Sequence, residues 1–476
     1  MLDTPGFLEV HSTEELAEHV HRIRADKARR DESFRLGKRP EPVHLPFSKG
    51  FETRPVEVLH ELGVATSFFR ESPFADIAHL WARFRYCGTL GTNQSRKLVL
   101  AHTPEDVVYH HKMTQSEQLG VGFALVIAKR LLARWYPEFR FQAIDAEVAL
   151  KAGYIQRVGR VVPTKISKKR PDYFLVGHNA RGTKVKIFVL ECKGTHEDKT
   201  FLHGQLAKAC VQVQTIEIGE KKPRSLMIAS LLKRDGISSY VLDPPGEEDL
   251  WSGEEADVPE LLDGEPGEAT LTARQPTSND LVADSPEQSA QHAVPAQDAD
   301  TPRLDDLDGA EEPASAPEIV RIADSDRPWF LGVLARSAAA SALIFAGDVA
   351  DARRYTTPRQ RSTHVPEGNE QELFPADDFR DPPPDTALST YRLPNGATFE
   401  GRSYTAPLWG HKVLRVRCGL ESTLYRQLRE GKVARYWRLT RGITRRLGLG
   451  NGPSTSDHVI SIGGAGTVMA IDIENQ

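Results

Sequence analysis

The stretch RPDYFLVGHNARGTKVKIFVLECKGTH, Arg170 to His196, decides how the chain is read. Two apolar runs, from Tyr173 and from Val185, flank a short polar segment centred on Arg181-Gly182, the pattern of a β-hairpin. If Asp172 lies opposite Glu191 in an antiparallel ladder, Phe174 meets Val189, Val176 meets Ile187 and His178 meets Val185. Side chains directly opposite share a face, and so do alternate residues along each strand. Asp172, Glu191 and Lys193 therefore project together from one end of the hairpin. The second strand is apolar on both faces, which predicts an interior position in a sheet.

Two carboxylates and an ammonium at the end of a buried strand are costly unless they serve one another or a metal. The hard oxygen pair of Asp172 and Glu191 suits Mg²⁺ or Mn²⁺, ions that favour carboxylates, water and substrate phosphate. Lys193 beside them can hold a water and stabilise charge developing on a phosphate. Together these groups describe the hydrolysis of a phosphodiester.

Pro171-Asp172, followed by Glu191-Cys192-Lys193 at the close of an apolar strand, resembles the signature of the PD-(D/E)xK nuclease superfamily. The resemblance covers roughly Thr114 to Leu242 and implies a restriction-endonuclease-like core. It implies a metal-dependent nuclease in which Asp172 and Glu191 bind metal, Lys193 is catalytic, and the backbone carbonyl of Cys192 adds a ligand. DNA is the expected substrate and endonucleolytic cleavage the expected mode, with defence against foreign DNA or DNA processing as the role by analogy. Glu-x-Lys recurs at Glu197, Glu220 and Glu430, but only Glu191 ends an apolar strand with Pro-Asp one hairpin upstream. A second Pro-Asp, at Asp385, has no such strand after it. Gln205 and Gln212 follow on the next helix, where some branches place a Gln; the Gln-x-x-x-Tyr form of one branch is broken by Ala209. Two alternatives remain: a non-catalytic binding or scaffold protein, which predicts loss of one of the three residues, and an RNA-directed nuclease.

Around the hairpin the periodicity predicts the order αβββαββ, a mixed sheet flanked by helices. A long helix starts near Thr114 and carries Glu117, followed on its face by Gly120, Val121, Ala124 and Ala128. Members of the superfamily often carry an acidic residue on this helix, so Glu117 is the candidate third metal ligand; a first-turn Glu on the helix dipole is the alternative. Asp145 and Glu147, expected on the first strand, are reserve ligands. Lys199, His203 and the cluster KISKKRP before Asp172 are candidate phosphate contacts.

The 476 residues carry a net charge of -5, which hides a strong asymmetry. From Pro245 to Ala316 there are roughly 20 Asp and Glu against two Arg and no Lys, leaving a balance near +13 elsewhere. That acidic segment is rich in Pro, Gly and Ser and is expected to be disordered. The expected organisation is a mostly helical region over 1–113, a nuclease core over 114–244, an acidic linker over 245–325 and a separate α+β module over 326–476. In the last, Arg426, Arg429, Lys432, Arg435, Arg438, Arg441 and Arg445 recur mostly at every third position. On one continuous helix such a row winds round by about 60° at each step, and Gly431 and Gly442 interrupt it, so it forms no groove-reading stripe; a basic surface that touches DNA backbone is the remaining expectation, beside a solvated one.

Four scattered cysteines suggest neither a disulfide framework nor a zinc site. The start of the chain lacks the basic, then apolar, order of a signal peptide, and a cytoplasmic location is expected. The segment from Trp329 to Gly347 is nearly long enough to span a bilayer, but Arg336 near its middle would cost roughly 2.5–3.5 kcal/mol to insert. A buried helix is expected there, with nucleic acid as the partner and no membrane; a protein partner or a homodimer is a further possibility.

Overall fold

The structure, a computed structural model, describes residues 2–68, 84–101, 109–157, 160–163, 170–179, 184–246, 262–263, 267, 269–281, 317–361, 388–393, 395–408, 410–443 and 458–475. Among these residues the chain is mixed α/β, built on a mixed sheet flanked by helices. The sheet's strands are β1 (Gly6–His11), β2 (Glu41–Pro42), β3 (Gly50–Thr53), β4 (Arg140–Asp145), β5 (Tyr173–His178), β6 (Val185–Thr195), β7 (Ser225–Leu232) and β8 (Ile237–Asp243). They run in the order β3-β1-β8-β7-β6-β5-β4, with β2 against β8. The pairs β1–β8 and β6–β7 are parallel and the other pairs antiparallel.

The expected hairpin is found in its expected register. Phe174 pairs with Val189, Val176 with Ile187 and His178 with Val185. The loop around Arg181-Gly182 lies outside the described residues. Strand β6 is interior, with β5 on one side and β7 on the other, and its apolar side chains fill two layers. Ile187 and Val189 join a core with Phe174 and Val176 and with Leu202 and Leu206 of helix α4 (Lys199–Gln212). Phe188 and Leu190 join a second core with Phe123, Ile127 and Leu131 of helix α3 (Tyr109–Trp135).

Several expectations are corrected. Helix α3 begins at Tyr109, not near Thr114, so Glu117 sits two turns in and is no first-turn residue. The strand expected across FRFQAIDAEVAL ends at Asp145, whose carboxylate accepts the amide of Val148 at 2.9 Å and starts a short helix, Ala146–Leu150. Glu147 is therefore helical. The N-terminal region is neither mostly helical nor apart: β1 pairs with β8, and β3 with β1, alongside helices α1 (Glu14–Ala28) and α2 (Pro55–Ala65). Helix α1 is capped by Thr13, whose hydroxyl accepts the amide of Leu16 at 3.2 Å.

The acidic linker is also only partly a linker. Thr270–Arg274 and Ile319–Ile322 are strands of a second sheet, with Tyr154–Arg157, Arg160–Pro163 and Ile216–Ile218. Leu271, Val320 and Ile322 supply the apolar alternation that the overall acidity obscures. Residues 282–316 of that segment lie outside the described residues.

The C-terminal module is not separate. Helix α5 (Arg327–Ala346), begun by Asp326 and ended by Gly347 at φ +93°, is buried on every face. It touches β4, α2 and the C-terminal sheet of β9 (Ser389–Arg392), β10 (Thr398–Leu408), β11 (Lys412–Glu421), β12 (His458–Ile462) and β13 (Thr467–Asn475). This is the one helix among the described residues long and apolar enough to cross a membrane, and 89% of that window is buried inside the protein. Gly463 to Gly466 form the hairpin turn between β12 and β13.

Candidate active site

Asp172 and Glu191 meet just past the end of the β5–β6 ladder. The amide of Asp172 donates to Glu191 Oε2 at 3.1 Å, and the amide of Cys192 donates to Asp172 Oδ2 at 2.8 Å. Lys193, two residues along β6 on the same face, places its Nζ 2.6 Å from Glu191 Oε1. Each carboxylate thus holds the backbone that carries the other. Glu191 is fully buried, Asp172 is half-buried, and 23% of the Lys193 side chain reaches solvent.

Burial, then the negative charge of Asp172, pushes Glu191 up to about 8, against the opposing pull of Lys193. Burial also raises Asp172, countered by Lys193 and the Cys192 amide. For Lys193 burial works downward, yet Glu191 and Asp172 outweigh it and hold the ammonium charged. Lys193 beside Glu191 and the Arg170 guanidinium near Asp172 oppose the rise of the two carboxyls, yet burial still leaves both acids raised.

Asp172 lines a cleft of about 360 Å³ with Glu117, Asp145, Glu147, Arg170 and Gln212. The cleft sits at the end of the sheet, reached by α3 from one face and by α4 from the other. Glu117 lines it but rises from the face opposite Asp172 and Glu191. Helix α3 packs on the side of Cys192 and Gly194, where a Cβ on Gly194 would lie 1.9 Å from the carbonyl oxygen of Ser116, and one on Gly120 2.7 Å from the amide of Gly194. Only glycines permit that approach. Among the described residues no three Asp, Glu, His or Cys side chains converge as a metal cluster would.

Of the other candidates, Asp145 is spent on capping, and burial raises its carboxyl. Glu147 pairs with Arg170 and with Lys151, the latter at 2.6 Å. Gln212 donates to the carbonyl of Arg170 at 3.1 Å, whereas Gln205 is not part of the cleft wall. His203 packs against His19 and Tyr240, remote from the cleft lining, and Lys199 is exposed. Residues 165–169, the rest of the basic cluster, lie outside the described residues. Arg170 was missed as an individual residue; its place directly before Pro171-Asp172, at the strand's entry, was the available signal.

Comparison with known proteins adds nothing to this geometry: no family model matches the chain, and neither a curated protein nor a solved structure matches it.

Proposed function

We propose that the protein is a metal-dependent nuclease with a restriction-endonuclease-like core, hydrolysing phosphodiester bonds of DNA. The observation that carries this reading is the β5–β6 register, which sets Asp172, Glu191 and Lys193 on one face, with Asp172 lining a cleft. The donor set fits a hard divalent ion: two adjacent carboxylates stay raised by burial although Lys193 pairs with Glu191, and although Arg170, itself paired to Glu147, acts on them from the cleft wall. Asp172 and Glu191 would hold Mg²⁺ or Mn²⁺ with the Cys192 carbonyl, water and substrate phosphate completing the shell. Glu117, on the opposite face, belongs to the cleft wall and would act through water or substrate. When bound, the ion would polarise the phosphate and acidify a water.

The chain's own groups have distinct tasks. Lys193 stays charged and donates hydrogen bonds to the attacking water or to a phosphate oxygen as negative charge grows on it. Arg170, on the cleft wall, orients the phosphate as it enters. Glu191 must lose its proton before it can serve as a ligand. Water then adds to phosphorus as the P–O bond to the leaving sugar breaks, and the leaving oxygen takes up a proton.

The test is cleavage of plasmid and linear DNA, with RNA in parallel, in Mg²⁺ or Mn²⁺. Asp172→Ala and Lys193→Ala are expected to lower the rate by about 10²- to 10⁴-fold. Equal cleavage by all three proteins, or none by any in either metal, would defeat the assignment; cleavage of RNA alone would redirect it to ribonuclease. A role in defence or DNA processing rests on analogy.

A further inference from the structure

We infer that the exposed arginine face of helices α6 (Ser422–Arg429) and α7 (Val433–Thr440) docks the phosphate backbone of a nucleic acid. This rests on the nuclease reading and gives its substrate a second point of contact, outside the cleft.

On one unbroken helix, cations at every third residue would wind out of any single face. Here the chain breaks at Gly431, φ +76°, so the winding restarts. Each short helix then carries two cations, Arg426 and Arg429 on α6 and Arg435 and Arg438 on α7, with Lys432 and Arg441 flanking α7. Arg426, Arg429, Lys432, Arg435, Arg438 and Arg441 are all exposed, while Leu424, Leu428, Val433, Tyr436 and Trp437 are buried beneath them. Arg445 lies outside the described residues. The mounting is firm: Trp437 stacks on His178 at the end of β5, ring centroids 4.6 Å apart, and Tyr436 donates to the carbonyl of Ala465 at 3.0 Å.

Local acids neutralise only part of this face. Arg429 meets Asp351 at 3.1 Å, Lys432 meets Glu430 at 2.7 Å, and Asp263 accepts the amide of Ala434 at 2.8 Å. Arg426, Arg435, Arg438 and Arg441 have no carboxylate at ion-pair distance among the described residues. Arg354, whose guanidinium donates to the carbonyl of Arg429 at 3.0 Å, extends the same surface. The fully exposed positions of the two helices are charged, with no apolar anchor of the kind that centres a protein interface. Guanidinium groups in a planar fork suit phosphate oxygens. A polyanion read by its backbone, without base contacts, is the partner this chemistry fits.

The full chain, kept in EDTA so that nothing is cut, is titrated with a labelled DNA duplex over a range of salt. The variant Arg435→Gln/Arg438→Gln/Arg441→Gln is expected to bind at least tenfold more weakly at low salt. Its slope of log K against log salt should shrink by roughly 2.7, about 0.9 for each phosphate that is no longer neutralised. The triple Lys variant should restore most of that slope. An unchanged slope in the Gln variant would overturn the inference, as would a wild type that binds polyglutamate in preference to DNA. The nuclease reading is judged apart from this: arginine-dependent binding without cleavage in Mg²⁺ or Mn²⁺ defeats that reading and leaves the docking face standing.

Discussion

At the scale of single residues, Glu191 sets the conditions under which the site can work. Its folded pKa, about 8, lies above its ordinary 4.5, so between those values the folded chain holds a proton that the unfolded chain has lost. Stability from this group is therefore complete below pH 4.5 and is lost as pH rises through 8. The metal-free protein should show a falling melting temperature over that window, and Mn²⁺ should reverse most of the fall at pH 8 by replacing the proton. Metal affinity and cleavage should rise with pH over the same range; calorimetry in two buffers of different ionisation heat would show proton release on binding. A flat melting profile would contradict the raised pKa of Glu191. Gly194 makes a second test. A methyl group there would strike the Ser116 carbonyl, whereas one on Gly204 of α4 meets nothing within 4 Å. Gly194→Ala should lose about 1–3 kcal/mol in urea denaturation and cut the cleavage rate. Gly204→Ala should be neutral or slightly stabilising.

At the scale of elements, what could be read in the sequence depended on how far apart the partners lie. The β5–β6 register was legible because both strands are apolar runs, their charges sit at one end, and the loop between them is short. The pairing of β1 with β8 was not, since Glu9 meets Ser238 across almost half of the chain and nothing local marks the match. The expected linker over 245–325 concealed two strands because bulk charge averages away four or five alternating residues. The split of α6 from α7 falls at Gly431, which the sequence marks as an interruption of the arginine row. Asp172, Glu191 and Lys193 came together as expected; the place of Glu117 did not follow, because a helix pattern gives a face but not the side of the sheet on which it packs. One junction between elements had no sequence signal at all. His60 of α2 is fully buried, bonded through Nδ1 to Ser461 Oγ at 3.0 Å and through Nε2 to Thr467 Oγ1 at 2.9 Å, and stacked on Phe345. Burial, followed by Lys129, drives its pKa down to about 3. The unfolded chain takes up a proton below pH 6.5 that the folded chain refuses, so the stabilising effect of this junction fades as pH falls from 6.5 toward 3. His60→Ala should cost about 2–4 kcal/mol at pH 7, through the two stranded hydroxyls and the space left behind. His60→Gln should flatten the loss of stability between pH 6.5 and 4, measured by urea denaturation.

At the scale of the whole molecule, α5 makes the C-terminal sheet part of the same folding unit as the candidate nuclease core. A helix buried all round must be covered by several elements at once, and its residues join one continuous apolar cluster running from Leu16 and Phe174 to Trp437 and Val468. The ring of Phe330 meets that of Phe174 edge-on at 5.3 Å, directly tying α5 to the strand that leads from Asp172. Removing the Phe330 ring should cost about 3–5 kcal/mol, and the loss should be felt on both sides of the helix. Hydrogen exchange followed by mass spectrometry offers the check: peptides from β6 and from β11 should lose protection at the same urea concentration in the wild type, and shift together in Phe330→Ala. Early opening of β11 while β6 stays protected would mean that α5 belongs to one side alone, and that the C-terminal arginines are carried by a unit able to move independently of the cleft.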